Sequence, residues 1–92
     1  MIGRPGETND TIEVELLFFA GARERAGASS VRLRLPENSC VRDLVARLSE
    51  DYAALRDLLP SCRIAVSNTY VDEDERLSDG CKCALIPPVS GG

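Results

Sequence analysis

The sequence predicts an α+β domain: a small mixed sheet with one main helix across it, running into an extended C-terminal tail. Three observations predict it. Segments 11–20, 31–35, 64–71 and 81–86 are short and apolar, with the period of two that half-buried strands show. Between the second and third, Val41, Leu44, Val45, Leu48 and Leu55 recur at helical spacing. The last six residues, Pro87-Pro88-Val89-Ser90-Gly91-Gly92, follow neither period.

Length and composition set the frame. A chain of 92 residues makes one small domain, and a hydrophobic share of 43% supplies a modest core. There is no histidine. That removes the commonest general base and metal ligand, and with it a self-contained catalytic triad or a histidine zinc site. The formal net charge of −4 argues against generic binding to nucleic acid and suits docking on a basic protein partner. No apolar run is long enough to span a membrane, and the N-terminus lacks the apolar stretch of a secretory signal, so the cytoplasm (cytosol) is the expected location. Cys40, Cys62, Cys81 and Cys83 lack zinc-finger or iron–sulfur spacing and read as small buried apolar residues; no metal is expected.

Residues 1–11 are rich in Gly, Pro, Thr and Asn and read as a mobile leader, 12–86 as the folded domain, and 87–92 as the tail. Alternation begins at Thr11 and runs to Ala20. It turns Ile12, Val14, Leu16 and Phe18 inward and Glu13, Glu15, Leu17 and Phe19 outward. Leu17 and Phe19 are therefore either covered within the fold or exposed for a partner. Residues 22–26 suit a short turn closed by Gly27. The second strand, with Arg32 and Arg34 outward, should return antiparallel to the first.

Pro36-Glu37-Asn38-Ser39 signals a helix start, with Asn38 or Ser39 as cap. The helix should break or fray near 51–54, with a further turn running to Leu59, where Pro60 stops it. Residues 64–71 read as one strand. Asp72-Glu73-Asp74-Glu75 reads as a solvated acidic turn, and Leu77-Ser78-Asp79-Gly80 as a tight turn with Gly80 at positive φ. In the last strand Cys81, Cys83 and Leu85 share one face, and Lys82, Ala84 and Ile86 the other. Pro87-Pro88 then ends pairing. The order is β-β-α-β-β. If the last strand pairs in parallel with the first, this is a ubiquitin-like β-grasp arrangement.

The tail is the candidate site. Two terminal glycines have no side chains, so they can thread a narrow channel and place the Gly92 carboxylate in another protein's active site. Fully extended, the tail beyond Ile86 reaches about 20 Å.

Leu17-Phe18-Phe19-Ala20 with Ala22-Arg23-Glu24 and Gly27, then Leu77-Ser78-Asp79-Gly80, then 84–92 ending Pro-Pro-Val-Ser-Gly-Gly, resemble the small, sulfur-carrying subunits of molybdopterin synthase. The resemblance covers residues 12–92. It departs at Ser67, where the family often has Asn, and at Cys81 and Lys82, where it favours acidic residues.

This resemblance implies a reaction at Gly92. An E1-like adenylyltransferase/sulfurtransferase with ATP would form a glycyl adenylate. A sulfide equivalent would then replace AMP to leave a thiocarboxylate (1-thioglycine). Inserted into the large subunit of the synthase, the tail would deliver sulfur to cyclic pyranopterin monophosphate, and two transfers would build the molybdopterin dithiolene. The chain would bind no cofactor itself, and two small subunits would flank a dimer of large ones. Within the tail, Gly91 would keep the thread thin, Pro87 and Pro88 would limit its freedom, and Val89 and Ser90 would complete it. Leu17, Phe19 and Ile86 would dock on the partner. For Arg23 and Glu24 a docking role and a solvated turn remain open. Other readings are a sulfur carrier for thiamine or tRNA thiolation, and a ubiquitin-like modifier joined through Gly92 to lysines.

Overall fold

The computed structural model describes residues 11–88. The elements are β1 (Thr11–Phe18), α1 (Ala20–Ala26), β2 (Ser30–Pro36), α2 (Val41–Asp51), β3 (Arg63–Val66), β4 (Thr69–Val71) and β5 (Lys82–Ile86). They form one five-stranded sheet in the order β2-β1-β5-β3-β4. β1 pairs antiparallel with β2 and parallel with β5, which places the expected parallel pair at the centre. β3 pairs antiparallel with both β5 and β4. Residues 1–10 of the expected leader lie outside the described residues. Its last residue, Thr11, is the first of β1 and faces Pro36.

The core lies between the inner face of the sheet and α2. Alternation along β1 buries Ile12, Val14, Leu16 and Phe18, and β5 adds Cys83 and Leu85. Helical spacing brings Val41, Leu44 and Leu48 down onto them. Phe18 meets the edge of Tyr52, with ring centroids 5.5 Å apart.

Five local expectations need correction. Residues 20–26 are a helix, α1, and not a turn, so β1 and β2 are joined by a helix. Ala and Arg are strong helix formers, and Gly27 closes the element at φ 74° with its N–H on the Arg23 carbonyl. Only Ala22 of α1 is fully buried, so the apolar signal was weak.

The cap of α2 is Cys40, not Asn38 or Ser39. Asp43 Oδ2 accepts from the Cys40 N–H at 2.9 Å, while the Ser39 hydroxyl turns back to the Pro36 carbonyl at 2.6 Å. Pro60 stops nothing, because α2 ends at Asp51. Two separate 3-10 turns follow, Ala53–Leu55 and Leu59–Ser61, and Pro60 sits in the second. A proline is tolerated there because the first N–H groups of such a turn need no internal partner.

Residues 64–71 are a hairpin and not one strand. Ser67 and Asn68 both take positive φ, 52° and 69°, which folds β4 back on β3. The acidic run also does more than face solvent. The Glu75 and Glu73 carbonyls accept from the N–H groups of Val41 and Arg42 at 2.9 and 3.0 Å. Arg42 in turn pairs with Asp74 at 2.7 Å and Glu73 at 3.3 Å. The loop therefore satisfies donors that the start of α2 leaves open.

Candidate docking face and C-terminal tail

The outer face of the sheet is divided along the strands. At one end it is charged. Glu13 stands opposite Arg34, Glu15 opposite Arg32, and Lys82 lies level with Glu15 with its Nζ 3.8 Å from the carboxylate. At the other end it is apolar. The register sets Leu17 beside Ala84, Ala84 beside Ala65, and Ala65 beside Tyr70, one row across β1, β5, β3 and β4.

The two alanines in the middle of that row are short, and the side chains around them are long. The result is an open groove of about 350 Å³ with Leu17, Phe19, Ile86 and Tyr70 among its walls. Phe19 is 42% exposed and Tyr70 52%, the two large apolar residues that remain exposed among the described residues. The Arg63 guanidinium stacks over the Tyr70 ring, 4.3 Å from its centroid.

Position follows from topology. β1 and β5 run parallel, so their C-terminal ends lie together. Phe19 follows directly on β1 and is fixed through its backbone, its N–H reaching the Leu85 carbonyl at 3.3 Å. Ile86 ends β5, and Pro87-Pro88 continue the chain from there. The apolar end of the face and the root of the tail are therefore one place.

Leu17, Phe19 and Ile86 are brought together as expected, and the question left open by alternation is answered: among the described residues, no element covers them. Arg23 and Glu24 lie exposed on α1, outside the groove lining. Val89, Ser90, Gly91 and Gly92 lie outside the described residues. Tyr70, Ala65 and Ala84 join the groove without having been singled out from sequence. Outward alternation marked Ala84, but Tyr70 could be placed only once the Ser67-Asn68 turn was known.

The free thiols sit apart from this chemistry. Cys83 is buried, and burial together with the nearby Cys81 pushes its thiol up to about 12. Burial likewise raises Cys62. Cys40, Cys62 and Cys81 are only half-buried, so the expectation of buried small residues holds fully for Cys83 alone. No helix among the described residues is long and apolar enough to cross a membrane.

A five-stranded mixed sheet grasping one long helix, with its outer face open and its last strand leading to a Gly-Gly tail, defines a protein of the ubiquitin-like β-grasp class. The model of the ThiS family matches residues 16–92. A molybdopterin synthase sulfur carrier subunit of Chlamydomonas reinhardtii is 34% identical over 83 residues, 88% of this chain and all of the relative. Among solved structures, a putative molybdopterin converting factor subunit 1 from Pyrococcus furiosus superimposes with a TM-score of 0.79 at 30% identity, covering 85% of this chain and 99% of that one. The complex of subunits 1 and 2 of the molybdopterin-converting factor from Helicobacter pylori matches with a TM-score of 0.66 at 28% identity, covering 88% of this chain and 100% of that one. The chain belongs to the ThiS family.

Proposed function

We propose that this chain is the sulfur-carrying small subunit of molybdopterin synthase. The observation that carries the reading is the continuity of the open apolar groove with the root of the tail at Ile86. A partner seated on the groove receives the tail at the edge of the same contact. A relative named for this function matches 88% of this chain over its own full length, and one solved relative is described as a complex of subunits 1 and 2.

A carboxylate is a poor electrophile, so Gly92 first needs activation. An E1-like enzyme joins it to AMP at the expense of ATP, releasing pyrophosphate. A sulfide equivalent attacks the acyl carbon, AMP leaves, and a thiocarboxylate remains. The large subunit supplies the basic and catalytic groups, as suits a chain without histidine. Sulfur passes to cyclic pyranopterin monophosphate, and a second thiocarboxylate completes the dithiolene. Each transfer returns Gly92 to a carboxylate, so the chain is reused. The prolines hold φ near −65° and so reduce the freedom lost when the tail is inserted.

The test is reconstitution. Thiocarboxylated full-length protein, mixed with a large subunit and cyclic pyranopterin monophosphate, should yield dithiolene in proportion to thiocarboxylate consumed. A chain lacking Gly92 should yield none. Full consumption of thiocarboxylate without dithiolene would contradict the assignment.

A further inference from the structure

The tail chemistry does not use the cysteines, yet two of them are placed together. Cys81 and Cys83 project on the same side of the chain, with their Sγ atoms 3.8 Å apart. Their environments differ. Cys83 is 1% exposed and clamped within the sheet, level with Leu16 on β1 and Val66 on β3. Cys81 is half-buried and lies just before β5, after Gly80 at φ 82°. Cys81 is the partly exposed residue of the pair, and Cys83 is the enclosed one.

We propose that Cys81 and Cys83 form a reversible dithiol–disulfide site at the root of β5, oxidised by a low-molecular-weight disulfide of the glutathione type. The Cys81 thiolate attacks one sulfur of the small disulfide. That S–S bond breaks and one small thiol leaves. The Cys83 thiol then attacks the Cys81 sulfur; the mixed disulfide bond breaks, and the Cys83 proton passes to the departing sulfur, which leaves as the second small thiol. Two protein thiols are oxidised to one disulfide, and one small disulfide is reduced to two thiols. Attack by thiolate on disulfide sulfur is the general route of such exchange.

Geometry permits the bridge and says what moves. Two residues apart in fully extended chain, Cα atoms lie about 6.6 Å apart, near the upper end of the range that disulfides span, and Cys81, just outside β5, can sit no farther than about this from Cys83. The sulfurs must approach by about 1.8 Å from their 3.8 Å separation to bond. Cys83 is held by paired strands on both sides, so Cys81 moves. Its carbonyl accepts from the Glu15 N–H at 3.0 Å and its own N–H donates to the Ser78 carbonyl at 3.1 Å, so its movement loosens both, the first of them its tie to β1. A bridge near the limit of its geometry is readily reduced, which suits reversible use.

The experiment equilibrates the full-length protein with mixtures of reduced and oxidised glutathione, traps free thiols by alkylation, and reads intact mass and peptide linkage. The expected oxidised species has lost two hydrogens, with the link inside the peptide holding Cys81 and Cys83 and with Cys40 and Cys62 alkylated. Cys83→Ser should retain glutathione on Cys81, because nothing resolves it. Cys81→Ser, a change at a half-buried position, should leave Cys83 unreacted. In the bridged protein, amide exchange at Glu15 should rise by about tenfold, the scale of a local opening and not of global unfolding. Stable glutathione on Cys81 of the unaltered chain, linkage through Cys40 or Cys62, or no oxidation at all would overturn the proposal. So would a bridge that leaves exchange at Glu15 unchanged.

Discussion

Phe18 and Phe19 are adjacent and do opposite things. Phe18 is 1% exposed in the core, and Phe19 is 42% exposed on the outer face. Alternation gave both directions from sequence, but it could not say whether anything covered Phe19. That depends on elements far along the chain. Substituting Phe19→Lys should weaken association with the large subunit by about 2 kcal/mol or more, roughly thirtyfold, as measured by titration. The urea midpoint should barely move, because the side chain is outside the core. A large stability loss with unchanged affinity would return Phe19 to a packing role. Asp43 illustrates a residue whose function was hidden: a thiol-bearing cap at Cys40 is not a sequence signal, and the carboxylate supplies the bond instead. The backbone hydrogen bond from Cys40 holds the Asp43 carboxyl below its ordinary range. A lowered folded-state pKa means that its contribution is present above the unfolded carboxylate range and is lost as pH falls through the folded value. Asp43→Asn should therefore be less stable than the parent at neutral pH, and the difference should vanish in acid, as read from urea midpoints across pH.

The elements that sequence reasoning missed are the short ones. α1 spans seven residues and fully buries one alanine, so it has almost no apolar stripe. The β3–β4 hairpin has strands of four and three residues joined by Ser67-Asn68, a weaker turn signal than the Asn-Gly or Asp-Gly pairs that favour positive φ. β1, β2, α2 and β5 were legible because each repeats its period over several residues. The 78–80 turn was legible for another reason: its glycine is required. Gly80 sits at φ 82°, its N–H meets the Glu13 carbonyl at 2.7 Å, and Asp79 Oδ1 accepts from the Glu13 N–H at 2.8 Å. A Cβ at Gly80 would meet nothing within 4 Å, so space is not the constraint. Gly80→Ala should still cost about 1–2 kcal/mol by urea unfolding, because an L-residue is strained at that φ. A neutral result would show that the turn adjusts its backbone freely.

The whole molecule turns on the parallel pair of β1 and β5. It brings residues some seventy positions apart into one register and sends the end of β5 out beside Phe19. This much could be read from the sequence, since the apolar alternation of both strands and the order of elements allow few other sheets. The groove could be read only in part, because its middle is defined by what is small, Ala65 and Ala84, and its far wall by Tyr70. The core beneath is a single cluster, so damage to it should spread. Leu44, fully buried on α2, should cost about 2–5 kcal/mol when replaced by Ala, a large part of the 5–15 kcal/mol typical of a domain. Thermal and urea unfolding should remain one transition. Above the fold stands the claim that the domain exists to present Gly92. The most direct measurement is the intact mass of the full-length protein after incubation with ATP, a sulfur donor and an E1-like activating enzyme that thiolates a known carrier. Exchange of one oxygen for sulfur, mapped to Gly92 and absent when Gly92 is removed, is the predicted result. An unchanged mass under those conditions, or high-mass conjugates through Gly92 in its place, would contradict it.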